Sequence, residues 1–217
     1  MKKITIILLT LITLSSYSQP IDYSNFDDKL ADKALAEAFL HFRDTIFQFS
    51  DGRLWLDYYP DLKTHPDLAL PVWSDKIYEL ISKPNCYEMT RLDLKYNNKH
   101  PDREEWWFKK GIQQIFAIET YKNVKSPQMR ELLTNTHGRY CENIMFSPNH
   151  RSTYQELATA FIICWDNSPT HSSLMRATYY DVYSFDNYNI KVRGIFACSI
   201  SYNSYSKSTY AALNFIH

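Results

Sequence analysis

The chain has 217 residues, 45% of them hydrophobic and 22% charged, enough to bury one sizeable core and far from the composition of disordered chains. Basic and acidic residues number 24 each and no long basic run occurs, so the concentrated positive field of a nucleic-acid binder is missing. After the first 18 residues no segment reaches the roughly 18 apolar residues of a membrane-spanning helix, so no transmembrane segment is expected there.

In chain order, Lys2 and Lys3 precede an apolar run from Ile4 to Leu14 and then Ser15, Ser16, Tyr17 and Ser18. A basic start, a short apolar stretch and small residues describe a secretory signal peptide over 1–18, cleaved near Ser18, and the run is too short for a stable bilayer anchor. A retained N-terminal anchor is the alternative; both imply export to a secreted or periplasmic location. No lipoprotein Cys follows, and loss of Lys2 and Lys3 leaves 22 basic against 24 acidic residues. One domain is expected over 19–217.

Asp27 or Asp28 is placed to cap a long helix, in which Leu30, Ala34, Ala38, Phe39, Phe42, Ile46 and Phe49 recur at steps of three and four until Ser50-Asp51-Gly52. Pro60, Pro66 and Pro71 make the next stretch an ordered loop. A helix opening at Trp73 is expected to break at Pro84-Asn85 and resume from Cys86 to Lys95. An amphipathic segment follows from Asp102 to about Tyr121, and a short helix from Pro127 to Leu133. Up to Leu133, then, only helices are predicted. Thr153-Tyr154-Gln155-Glu156 is a capping box that starts a helix running to Trp165, and Asn167-Ser168-Pro169 stops it. Thr178 to Phe185, Ile190 to Tyr202 and Ser208 to Phe215 are rich in β-branched and aromatic residues and predict three antiparallel strands. Helices first and strands last give an α+β fold.

Four cysteines, at 86, 141, 164 and 198, suit an oxidising compartment, and none forms a C-x-x-C pair. Cys164 and Cys198 lie in apolar runs and read as buried small hydrophobes, which leaves Cys86 and Cys141 as the better disulfide candidates.

Three segments carry a family resemblance. Cys141-Glu142-Asn143-Ile144 is similar to a G-E-N-I/L motif with Cys in place of Gly. Trp165-Asp166-Asn167-Ser168-Pro169-Thr170-His171 resembles W-x-x-S-P-x-H, and Tyr210-Ala211-Ala212-Leu213-Asn214-Phe215 resembles an aromatic-rich closing strand. Their order matches the CAP superfamily, the cysteine-rich secretory and pathogenesis-related proteins, in its bacterial branch. Leu70-Pro71-Val72-Trp73-Ser74-Asp75 resembles the L-x-W segment that opens the second family helix, Arg43 falls where the first helix carries an Arg, and 102–125 looks like an insertion. The resemblance implies an α-β-α sandwich with a small antiparallel sheet covered by helices. It requires the three C-terminal strands to form one sheet packed by the Thr153–Trp165 helix.

The resemblance further implies a cleft in which two His and one or two acidic residues can hold a divalent metal. By position Glu142 is the acid and His171 the second His. The first His is His100 or His137, and Ser168 stands where some members carry a second acid. Read without the family, two imidazoles and a carboxylate are suitable donors for Zn²⁺ with an open fourth position, fit for metal-polarised hydrolysis. The plainer reading has Glu142 and His171 capping backbone N–H groups. Ser168 could be cast as a nucleophile with His171 and Glu142, but no nucleophile-elbow glycines surround it and helix termination explains Ser-Pro. The tyrosines of the C-terminal runs suit sheet packing better than a carbohydrate or lipid surface. One of Trp106 and Trp107 is expected to pack inward.

The functional expectation is a binding cleft at His100, Glu142, Ser168 and His171 for a small apolar ligand or an extracellular protein, without turnover. The alternatives are a secreted metal-dependent hydrolase or peptidase using the same cleft with Zn²⁺, and a cell-surface interaction protein that makes contact through 102–125.

Overall fold

Residues 19–46, 70–93, 140–176, 180–185 and 188–216 are described by the computed structural model. The chain enters along the end of the sheet: Pro20 bridges to Thr153, Ile21 N–H donates to the Ser152 carbonyl at 2.9 Å, and the Tyr23 ring stacks on His150 with centroids 4.0 Å apart. Helix α1, Asp28–His41, follows. Of the two candidate caps Asp27 is the one used, its carboxylate accepting from Leu30 N–H at 3.1 Å. Ala31, Ala34, Leu35, Ala38 and Phe39 make its buried face. Past His41 the helix widens into a π-helical turn, Phe42–Ile46. The expected continuation to Phe49 lies outside the described residues, as do the signal segment, the loop before Leu70 and the insertion at 102–125.

Val72–Trp73 form strand β1, and Ser74 caps the short helix α2, Asp75–Ile77. The break predicted at Pro84-Asn85 does not occur. A π-helical turn, Tyr78–Ser82, leads without interruption into α3, Lys83–Leu92. Proline has no N–H to return to the preceding turn; the wide turn ahead of it takes up the mismatch, Lys83 N–H reaching the Tyr78 carbonyl. Asp93, in the left-handed region at φ 51°, ends α3.

Tyr140–Ser147 is a strand, β2, in a stretch to which the sequence assigns no element. Helix α4, Tyr154–Asp166, opens on the predicted capping box: Thr153 Oγ1 accepts Glu156 N–H at 3.2 Å, and the Glu156 carboxylate accepts the N–H groups of Thr153 at 3.3 Å and Ser152 at 3.0 Å. Asn167-Ser168 stop it as expected, and Pro169 opens a further helix, α5, Pro169–Met175. Four strands close the chain: β3, Tyr180–Phe185; β4, Tyr188–Arg193; β5, Ile195–Asn203; and β6, Ser208–Ile216.

The single three-stranded sheet is not what forms. Gly194 divides the run from Ile190 to Tyr202 into β4 and β5, and β3 and β4 pair with each other as a separate two-stranded sheet. The main sheet is mixed, in the order β1-β5-β6-β2. Strand β6 is antiparallel to both neighbours, with Asn214 opposite Glu142 on one side and Ala197 on the other, while β1 runs parallel to β5 for two residues.

Strand alternation divides the core. Ala211, Leu213 and Phe215 face a cluster with Ala34, Leu35 and Phe39 of α1 and Leu157, Phe161 and Trp165 of α4. Tyr210 and Ala212, with Ile144 and Phe146 of β2, face Cys86 and Met89 of α3. The fold is therefore α+β, as expected, with helices against both faces of the main sheet. Among the described residues no helix is long and apolar enough to cross a membrane.

The same alternation corrects the cysteine assignments. All four are free thiols. Cys86 packs under the α3 face and donates to the Tyr210 carbonyl at 3.1 Å, whereas half-buried Cys141 packs against the α1 cluster, so the expected pair sits on opposite sides of the sheet. Cys198 is buried, as expected, but Cys164 is exposed, because it lies on the outer face of α4 beside Ile163, which is 54% exposed.

Thr153→Ala removes the side-chain half of the capping box and leaves Glu156 N–H to water. It is expected to lower stability by about 1 kcal/mol in urea unfolding, with the denaturant slope unchanged.

Candidate functional site

Glu142 and Asn143 are neighbours on edge strand β2, and the two-residue period sends their side chains to opposite faces. Glu142 turns toward α3. Its Oε1 accepts from Asn214 Nδ2 at 2.9 Å, the residue directly opposite in the ladder, and from Asn85 Nδ2 at 2.7 Å, in the first turn of α3. Both asparagines are buried, and a buried amide must be hydrogen-bonded, so the carboxylate joins α3 to the middle of the sheet.

Asn143, fully buried, turns the other way and donates from Nδ2 to the His171 carbonyl on α5 at 3.2 Å. The His171 ring is held within its own turn, Nδ1 lying 2.9 Å from Ser168 Oγ. Ser168 stands at the N-cap of α5, yet its hydroxyl serves the imidazole and not a backbone N–H. Burial pushes the imidazole below its ordinary value, so His171 is largely neutral at pH 7. The second half of α5 is tied down as well. Asp166 Oδ1 accepts from Ser172 Oγ at 2.8 Å and Arg176 Nη2 at 2.7 Å, and the wholly buried Arg43 donates from Nη1 to the Met175 carbonyl at 3.1 Å.

The structure thus brings Ser168 and His171 together, while the Glu142 side chain leaves β2 on the face opposite to Asn143, whose amide meets the His171 carbonyl. His100 and His137 lie outside the described residues. Among the described residues no three His, Cys, Asp or Glu side chains are grouped to hold a metal ion. What the described groups can do is orient a polar atom beside each of them, with a neutral imidazole on α5 and an amide-braced carboxylate on β2.

Sequence reasoning missed a third polar centre. Asp32 on α1 is 4% exposed. Its Oδ1 accepts Ile200 N–H of β5 at 2.6 Å, and its Oδ2 accepts the Tyr78 hydroxyl at 2.6 Å. Asn85 and Asn214 were missed as well. The available signals were an acid in the same turn as Ala31, Ala34 and Leu35 of the apolar face, and a lone Asn inside the Tyr210–Phe215 run.

Comparison with known proteins found no matching family model, no matching curated protein and no matching solved structure.

Two outcomes are expected from this geometry. Glu142→Ala strands two buried amides and should cost about 2–4 kcal/mol in urea unfolding, while Glu142→Gln, which keeps an acceptor, should cost less. His171 should titrate below pH 6.5 by NMR. Its folded form binds the proton more weakly than the unfolded chain does, so its contribution to stability is present at neutral pH and is lost on acidification below pH 6.5.

Proposed function

We propose that this chain is an exported CAP-like domain, an α-β-α sandwich, that binds a small apolar ligand or an extracellular protein beside Glu142 and the Ser168–His171 pair without turning it over. Support comes from the positions of the motifs. Cys141-Glu142-Asn143-Ile144 lies on β2, the capping-box helix α4 follows, Trp165 to His171 spans the junction of α4 and α5, and Tyr210 to Phe215 runs alongside β2 in β6. The separate β3–β4 hairpin fails the requirement of one sheet made by the three C-terminal strands, so the likeness rests on the order of the motifs along β2, α4, α5 and β6 alone.

The observation that carries a binding role is the manner in which the polar groups are held. Glu142 is braced by two side-chain amides and His171 by a hydroxyl, each in a fixed direction and each by a neutral partner. Groups held this way orient a bound molecule. A hydrolytic centre needs, beyond the contact of the Ser168 hydroxyl with the His171 imidazole, donors for the developing oxyanion.

Residues 19–217 titrated with a fluorescent fatty acid should show saturable binding that His171→Ala weakens at least fivefold, with no turnover of generic ester or peptide substrates. Unchanged affinity in His171→Ala would overturn the site. Stoichiometric Zn²⁺ binding by calorimetry, lost in His171→Ala and accompanied by chelator-sensitive hydrolysis, would replace the binding reading with the hydrolase.

A further inference from the structure

Strand β1 accompanies β5 for two residues only, from Ile195 to Phe196. Beyond it the outer edge of β5 would leave the Ile200 N–H without a ladder partner, and it is there that α1 lays Asp32. The carboxylate meets donors from two other elements, Ile200 N–H of β5 and the Tyr78 hydroxyl of the π-helical turn, with Ser199 of β5 nearby. Cys198 Sγ, 3.5 Å from the Asp32 carbonyl, seals the junction from the strand side.

Every donor that reaches the carboxylate is neutral. The charged and titratable groups around it are Asp28, one turn earlier on α1; Tyr78 with Glu79 behind it; Cys198 on β5; and Cys86 on α3. Lys83, at the start of α3, acts on Asp28 and lies 5.4 Å from the centre of the Tyr78 ring. A buried carboxylate with donors but no counter-cation among these neighbours bears most of the cost of leaving water. Burial outweighs the donors and Asp28 adds to it, so the carboxyl is pushed up to about 7.

A cavity also adjoins the junction. A cavity of about 320 Å³ is lined by Asn25, Phe26, Asp28, Tyr78 and Lys83, among others. Two of these are Asp32's own neighbours: Tyr78 through its hydroxyl, and Asp28 one helical turn away on the same face of α1. Water entering past Tyr78 would reach the carboxylate without unfolding the sheet.

We propose that Asp32 is a proton-operated latch between α1, the Tyr78 turn and β5, shut and dry when the carboxyl is neutral and driven toward a hydrated, open junction as it ionises. The closed form binds the proton more tightly than an open form in which the carboxyl returns to its ordinary 3.8. Closure is therefore favoured most below about pH 4, weakens through the interval up to about pH 7, and changes no further above it. At the pH of an acidifying medium the Tyr78 wall of the cavity is held most firmly against α1; at neutral pH and above it is held least.

The test is amide hydrogen exchange of residues 19–217 between pH 5 and 8.5, corrected for intrinsic exchange. Protection of the Ile200 amide should fall roughly tenfold per pH unit from pH 5 to 7 and level off above, and Asp32→Asn should abolish the slope. A flat profile in the native chain, or the same slope in Asp32→Asn, overturns the latch. So does equal protection at Leu213, in the middle of β6, because only whole-chain unfolding would then expose Asp32. Should Asp32→Asn fail to fold, ¹³C titration of the Asp32 carboxyl in the native chain decides: a midpoint near neutrality supports the latch, and an ordinary carboxylate midpoint overturns it.

Discussion

Burial of β6 on both of its faces is the constraint from which the other features follow. Six consecutive residues, Tyr210 to Phe215, are buried, which requires partner strands along both edges and helices over both surfaces. Ala211 and Ala212, one on each face, let α1 and α4 approach from one side and α3 from the other. Asn214 is the polar exception. Fully buried in the middle of the sheet, its amide must find an acceptor, and the residue opposite it in the ladder is Glu142. The position and direction of that carboxylate are consequences of strand register.

A second consequence appears where the sheet stops short. A buried backbone N–H has to be satisfied, and with β1 only two residues long the edge of β5 is completed by a side chain from a helix. Asp32 does for Ile200 what a longer β1 would do with a carbonyl, but it brings a titratable group into the core. His171 and Asp32 then respond to acid in opposite senses. The imidazole is held below its ordinary value and the carboxyl above, so acidification below pH 6.5 weakens the first contribution and strengthens the second.

The two π-helical turns, Phe42–Ile46 and Tyr78–Ser82, belong to the same economy of fit. The second lets a proline sit inside a continuous helical path and aims Tyr78 at Asp32. The first sets Arg43 under α5, where its guanidinium meets the Met175 carbonyl at the helix C-terminus, a favourable end for a cation.

What the sequence by itself determined is local. The Asp27 cap, the apolar face of α1, the Thr153–Glu156 box, the stop at Asn167-Ser168 and the strand at Ser208–Ile216 are set by residues two to four positions apart, and short-range spacing is legible in one dimension. The Ser168–His171 contact, three residues apart on one turn, belongs with them. The tertiary structure alone decided that Tyr140–Ser147 is a strand, since its pairing partner lies some 70 residues away, and that β3 and β4 stand apart from β5, a division made at a single glycine. It alone decided that Glu142 and Asn143 reach different helices, that Cys86 and Cys141 lie on different sides of the sheet, and that Asp32 is buried. Each of these depends on which face of β2, β5 or β6 a distant helix covers, and a one-residue step along a strand reverses that face.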